Sequence, residues 1–265
     1  MMTLDILICT IDEGIERVPE VLMPPRDGVR YVVSMQWTSP EKKELVPTVL
    51  KEREDVTLTL LEGRGLSRNR NHALECATGD IRLIADDDNR YTDELIDNLL
   101  EAYQEHAEAD IICLTAESYD GQPMKTNPKE AMPYEEAFRL GYYPISIELS
   151  MREGVDVKFD ERFGLGAERF CAGEEDVWMK DALDRGYKAM FVPKVVVRSY
   201  DDTTGAHLVG NAALQQTKGA VFRHLFGTPE AVWRTLKEAG WWMVHKGANP
   251  LPIAWNMLKG MRSLG

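Results

Sequence analysis

A mainly parallel α/β sheet flanked by helices is the fold class predicted by this 265-residue sequence. Three observations carry the prediction. Short β-branched runs alternate with segments of helical period through the first half of the chain. Gly, Pro or charged turns bound each run. Polar residues suited to a ligand fall just after several of the runs, where open parallel sheets bind their ligands. A hydrophobic content of 44% is enough for a large core.

The strands are expected at "LDILICT", "VRYVVSM", "VTLTLL", "IRLIA" and "DIICLTA". Between them, one helix is expected from Ser67 to Gly79, a glycine suited to a C-terminal cap. The clearest helix is "TDELIDNLLEAYQEH", with Thr92 as N-cap, acids in its first turn, and Leu95, Ile96, Leu99, Leu100 and Tyr103 on one face. From Lys129 to Arg169 the alternation weakens around Pro133, Pro144 and "FDERFGLGAERFCAG", which reads as an insertion or mixed-sheet region covering the site. "GEEDVWMKDALDRGYKAMFVP" restores a helix ending at Gly186 and then a strand.

The formal net charge of −13 excludes a general nucleic-acid binder, which needs surplus Lys and Arg to replace phosphate counterions. The charge is uneven: residues 218–265 hold 7 Lys and Arg against 2 Asp and Glu, whereas the preceding 217 hold 24 against 42. That basic tail carries Trp233, Trp241, Trp242 and Trp255. Amphipathic helices packed on the main domain are the preferred reading, and peripheral contact with an anionic membrane is the competing one. Cys9, Cys76, Cys113 and Cys171 are far apart and form no CxxC pair, as expected of free thiols in a reducing compartment. The N-terminus lacks signal-peptide character and no apolar run approaches bilayer length, so a cytoplasmic protein is expected, at most at the inner face of the membrane.

Chemistry concentrates in three places. In "IRLIADDDNRY" three consecutive aspartates follow a buried strand, and their mutual repulsion suggests a cation. Asp86 and Asp88 can both reach one hard ion, Mg²⁺ or Mn²⁺, leaving positions open for diphosphate oxygens. A calcium-binding EF-hand loop would need glycine at position six and glutamate at twelve, which are missing. A solvated acidic turn capping the next helix is the plain alternative. In "GEEDVWM", Glu174, Glu175 and Asp176 open a helix, where acids are common for structural reasons, yet crowding can tune one of them toward general-base work. In "EGRGLSRNRNHAL", glycines free the backbone and Arg64, Arg68 and Arg70 supply forked cations, without P-loop or GxGxxG character. Thr10 and Asp12, Ser34 to Trp37, and Asp86 to Asn89 fall on the same expected sheet edge.

Taken in order, "GLSRNRNHALECATGDIRLIADDDNRY" and "GVDVKFDERFGLGAERFCAGEEDVWMKDALDRGYKAMFVP" resemble family 2 glycosyltransferases over residues 3–197: an Arg-Asn pair, a strand delivering a DxD motif, an acceptor-side loop and an ED motif. The resemblance implies a GT-A fold, a Rossmann-like sheet with a smaller mixed-sheet acceptor region and C-terminal helices. It divides the chain into a glycosyltransferase domain at 1–217, with nucleotide-binding (1–117) and acceptor (118–217) halves, and a basic helical segment at 218–265. It implies Asp86 and Asp88 as the DxD pair around Mn²⁺ or Mg²⁺, Asp87 standing between them. Arg70 and Asn71 lie near the nucleotide, Thr10 and Asp12 at base and ribose. On the same resemblance Asp176, beside Glu175, is expected to be the catalytic base.

The family's acid after the second strand is replaced here by "SMQW", leaving Ser34 or Gln36 to read the base, and His207 is a candidate third metal ligand. The implied activity is inverting hexosyl transfer from a nucleotide-diphosphate sugar, UDP-linked by expectation, to a saccharide or lipid-linked saccharide hydroxyl in polysaccharide biosynthesis. A nucleotidyltransferase, lacking here its Gly-rich N-terminal loop, and a non-catalytic binding module are the alternatives.

Overall fold

The computed structural model describes residues 2–200 and 208–264. His207 lies outside the described residues. Among the described residues eight strands form one sheet: β1 (Leu4–Ile11), β2 (Val29–Trp37), β3 (Val56–Glu62), β4 (Ile81–Asp86), β5 (Ile111–Ser118), β6 (Met132–Pro133), β7 (Leu149–Arg152) and β8 (Ala189–Ser199). The α-helices of the described residues are α1 (Thr48–Glu52), α2 (Leu66–Cys76), α3 (Asp93–Glu105), α4 (Tyr134–Arg139), α5 (Glu174–Asp184), α6 (Ala212–Lys246) and α7 (Pro250–Ser263). The strand order is β3-β2-β1-β4-β7-β5-β8-β6.

The order is built around β1, which pairs in parallel with β2 on one side and β4 on the other. The first connections therefore wind one way from β1 to β3 and the next reverses to β4, creating the crevice at which parallel sheets bind ligands. β1 has every residue but Ile11 buried, as a central strand covered on both faces requires. β3, at the edge, has no fully buried residue, and Thr57, Leu60 and Glu62 are exposed. One continuous core fills this part of the chain, with Ile6, Ile8, Val33, Leu83, Ile96, Leu99 and Leu114 among its members.

α3 follows the sequence expectation: the Thr92 side chain accepts from the Leu95 N–H at 3.4 Å, and Leu95, Ile96, Leu99 and Tyr103 are buried. α2 stops at Cys76 rather than Gly79. The reason is Asp5, whose carboxylate accepts the backbone N–H groups of Thr78 and Gly79 at 2.7 Å each and draws the chain off the helix axis. A Cβ on Gly79 would sit 2.9 Å from that carboxylate.

The weakly patterned stretch after β5 supplies β7, which enters the sheet antiparallel between β4 and β5. Glu148 precedes it, fully buried, accepting from Lys125 Nζ at 2.5 Å, Tyr142 Oη at 3.0 Å, and the N–H groups of Ile145 and Ala116 at 3.1 and 3.2 Å. Burial pushes its carboxyl up, and Lys125 opposes the shift. The sheet is thus mixed on this side.

Two compact units divide the chain: residues 1–64, 68–158 and 182–201 in one, and residues 65–67, 159–181 and 202–265 in the other. The divisions expected at 117/118 and 217/218 are drawn by function and do not coincide with these. Within the second unit, Phe163, Phe170, Val177, Ala220 and Val221 form a small core, and Trp178 stacks on Phe159 with ring centroids 5.5 Å apart. α6 is broken at Gly227 (φ 73°, ψ 175°), next to Pro229, and ends on Gly247 in the left-handed conformation. α6 and α7 cross at contact distance because both carry glycine there: a Cβ on Gly219 would meet the Met257 carbonyl oxygen at 1.9 Å, and one on Gly260 the Gln216 carbonyl oxygen at 1.8 Å.

Gly219→Ala and Gly260→Ala are each expected to destabilise the chain by at least about 1–3 kcal/mol, since backbone cannot yield as a side chain does. Urea unfolding measures the loss, and limited proteolysis is expected to cut first between 247 and 264.

Candidate functional site

The first unit gathers polar side chains at the carboxyl ends of β1, β2 and β4. Asp87 is their anchor. Its carboxylate accepts from Thr10 Oγ1 at 2.5 Å and from Arg17 Nη2 at 2.5 Å, tying the end of β4 to β1 and to the turn that follows it. The fit requires Gly14, where a Cβ would lie 2.2 Å from Asp87 Oδ2 and 2.3 Å from Thr10 Oγ1. The middle aspartate is therefore committed to protein partners.

The flanking acids are placed differently. Asp86, at the end of β4, meets the guanidinium of Arg70 at 3.3 Å, and Arg70, buried, also donates to Ser146 Oγ at 2.8 Å. Asp88 is half-buried; among the described residues its carboxylate receives long contacts, from Asn89 Nδ2 at 3.4 Å and Ser199 Oγ at 3.5 Å. Burial first, and then the charge of Asp87, push the Asp88 carboxyl up. Asn89, fully buried, fixes the turn: its Oδ1 accepts the Asp86 N–H at 2.8 Å and its Nδ2 reaches Ser199 Oγ at 3.2 Å.

Behind β1 and β2 a second polar frame is closed. Ser34 Oγ donates to Asn69 Oδ1 at 2.6 Å, while Asn69 Nδ2 donates to the carbonyls of Thr10 and Ser34 at 3.0 Å each. Asn71 is buried on the same helix. Asp12 has φ 47°, a conformation that aspartate adopts more readily than most residues, and its carboxylate accepts from the N–H and Oγ1 of Thr38 at 2.9 and 2.7 Å. Both of its oxygens are thus used in joining the ends of β1 and β2. Gln36 is 2% exposed, and its Nε2 has no hydrogen-bond partner among the described residues. A buried amide donor left unpaired is costly, and it marks a place where an acceptor belongs.

Thr10, Ser34, Gln36, Arg70, Asn71 and Asp86 to Asp88 all lie in the first unit. Sequence reasoning missed Arg17, Asn69 and Ser146, and placed Asn89 at the sheet edge without a role. Asn69 and Asn89 lay inside quoted motifs, but only the fold shows that they support neighbours; Arg17 and Ser146 stood outside any pattern. Glu175 and Asp176 belong to the second unit, where with Glu174 they form the acidic first turn of α5, preceded by Gly173 at φ 79°. The helix dipole favours their negative charge.

Among the described residues no three His, Cys, Asp or Glu side chains gather into a metal-holding group. The donor chemistry still fits a hard divalent ion. Asp86 and Asp88 are carboxylates of which one is poorly compensated, and Mg²⁺ is commonly held by one or two carboxylates together with substrate phosphates. The cysteines are free, with Cys9 and Cys113 buried; burial pushes the Cys9 thiol up to about 12, so it is inert as a ligand at neutral pH.

A sheet whose order reverses beside an acid-ended β4, with an antiparallel β7 inserted, is the GT-A architecture. Residues 39–163 match the family described as "Glycosyl transferase family 2", a little under half of the chain. The match includes Arg70, Asn71 and Asp86 to Asp88; Thr10, Asp12, Ser34, Gln36, Glu175 and Asp176 lie outside it.

Among solved structures, TarS of S. aureus is 16% identical over 92% of this chain with a TM-score of 0.58, and the chain spans only 43% of that TarS chain. TarS 1–349 is 14% identical over 99% of this chain and 91% of its own, with a TM-score of 0.62. Its complex with UDP-GlcNAc is 15% identical over 93% and 73%, with a TM-score of 0.59. At these identities the likeness is one of fold. No curated protein matches the sequence.

The raised Asp88 carboxyl yields a titration test. A carboxyl raised in the folded state stabilises the fold at low pH, and that contribution is lost as pH rises through its folded value. Carbon-detected NMR is expected to place the Asp88 midpoint above that of an ordinary aspartate, and to bring it down in Asp87→Asn.

Proposed function

We propose that this chain transfers a hexosyl unit from a UDP-sugar to a hydroxyl of a saccharide or lipid-linked saccharide, with inversion at the anomeric carbon. The observation that carries the reading is the acid-ended β4 beside β1, at the reversal of strand order, in a chain whose residues 39–163 match glycosyl transferase family 2. The structures titled as TarS with UDP and with UDP-GlcNAc support a uridine donor, as proteins of the same fold. The four thiols suit a cytoplasmic setting.

On this reading Asp86 and Asp88 hold Mn²⁺ or Mg²⁺, which supplies neutralisation of the charge that grows on the leaving diphosphate. Arg70 adds a fixed cation near Asp86, buried and pre-oriented by Ser146, so no reorganisation is needed as charge develops. Gln36 offers its unpaired Nε2 to a carbonyl oxygen of the base, and Ser34 shapes the floor through Asn69. Asp12, with both oxygens on Thr38, positions the strand ends in preference to binding the ribose directly. Asp87 acts as the anchor, held by Thr10 and Arg17 between the two other acids. Asp176 takes the acceptor hydroxyl proton while the oxygen forms its bond to the anomeric carbon and the bond to the diphosphate breaks; Glu175 is its neighbour in the same helical turn. His207 is retained as a third metal ligand on the resemblance alone.

Calorimetric titration with UDP, GDP, CDP and dTDP, each with Mn²⁺ and then with EDTA, tests the donor site. UDP is expected to bind with Mn²⁺ and to weaken more than about tenfold in EDTA or in Asp88→Asn. Gln36→Met is expected to narrow the preference for UDP over CDP. Asp176→Asn is expected to keep UDP affinity and to lower kcat by about 10²–10⁴. Near-normal transfer by Asp176→Asn would remove it as the base, and release of pyrophosphate from a nucleoside triphosphate would replace the reading with nucleotidyl transfer.

A further inference from the structure

The C-terminal helices wear their apolar side chains on two faces. Toward each other they present small and aliphatic residues: Ala231, Thr235 and Ala239 of α6 are buried, as are Ile253, Met257 and Met261 of α7, and these form a shared core with Phe222. One such face suffices to hold the pair together. The opposite faces are apolar as well. On α6, Trp233 is 55% exposed and Val244 73%, with Leu236, Trp241 and Met243 on the same side of the helix. On α7, Leu251 is 75% exposed and Trp255, one turn on, 64%.

The charged residues among them share one sign. Lys237, Lys246, Lys259 and Arg262 are exposed. Lys237 Nζ lies 5.3 Å from the centroid of the Trp233 ring. No aspartate occurs after Asp202, and both glutamates of this segment are ion-paired with a neighbouring cation. Glu230 accepts from Arg234 Nε at 2.9 Å, and Glu238 from Lys218 Nζ at 2.5 Å and Trp242 Nε1 at 2.8 Å. An exposed surface of Trp, Leu, Val and Met interleaved with Lys and Arg is thus set into a chain whose overall charge is −13.

We infer that this surface docks on an anionic lipid bilayer. A protein partner would be expected to meet an interface depleted in Lys, whereas cations beside Trp and aliphatic side chains match the headgroup boundary of a membrane. Val244, Lys246 and Leu251 flank the turn at Gly247 to Asn249, so the hairpin tip offers apolar side chains for shallow insertion with a lysine at headgroup level. No helix among the described residues is long and apolar enough to cross a membrane, and the contact is with one leaflet. The inference concerns α6 and α7 alone and stands whether or not the donor site performs the chemistry proposed above.

Flotation of the full chain with vesicles of phosphatidylcholine, alone or mixed with phosphatidylglycerol, tests it. Binding is expected to the anionic vesicles, to weaken with salt, and to fall about fivefold for each of Lys237→Glu and Lys259→Glu. Leu251→Asp with Trp255→Asp is expected to abolish flotation while leaving the thermal melt unchanged, because both positions are exposed. Absence of flotation by the intact chain, or flotation indifferent to these variants, overturns the inference. So does a concentration-dependent dimer, seen by sedimentation without vesicles, that the same substitutions dissolve, since a second copy would then be the occupant.

Discussion

Two hydrogen bonds to the Asp87 carboxylate hold the candidate site in shape. Thr10 reaches it from the end of β1 and Arg17 from the turn beyond, so the three strand-end aspartates are not equivalent. The middle one is neutralised by protein groups, which removes one of the mutual repulsions that made the acidic run improbable as a structural element. Asp86 and Asp88 are left facing outward on either side, one paired with a buried arginine and the other under-compensated and raised by burial. A single anchored acid thereby supports its two neighbours, one of them raised by burial at the expense of stability near neutral pH.

Around that anchor the polar residues serve mostly as framework. Asn69 and Asn89 each accept and donate within a closed network, fixing the ends of β1, β2 and β4 without meeting solvent. Satisfied buried networks of this kind fix one arrangement, because any alternative leaves a polar group unpaired in a medium of low dielectric. Gln36 stands out because its amide nitrogen is left over from an otherwise complete set. The framework residues keep the geometry, and the leftovers indicate where a ligand belongs.

The second unit shows a different balance. Its helices cross closely at Gly219 and Gly260 and bury alanine, threonine and methionine between them, so their largest apolar side chains are excluded from the contact. Close backbone approach requires small residues at the crossing, and large ones must then point elsewhere. Trp233, Trp241 and Trp255 are exposed for this reason, contrary to the preferred expectation that they form core.

Much was legible in the sequence because it is local. Period-2 and period-3.6 patterns placed five strands and the long α3 to within a residue or two, Thr92 announced its cap, and Asp86 to Asp88 could only lie after a strand as apolar as "IRLIA". The mixed character of the sheet was foreshadowed by Pro133, Pro144 and the broken alternation. What the sequence could not decide were choices among chemically similar residues: which of three aspartates is anchored, that Asp12 turns to Thr38, that Asn89 shapes the turn, and which face of α6 meets α7. Most of these depend on groups more than twenty residues apart, as Asn89 does through Ser199, or on the room left by a glycine at a crossing, and these distances exist only once the chain has folded. Composition and periodicity set the elements and their order, whereas tertiary packing decided which polar group is satisfied by the protein and which is left for a ligand.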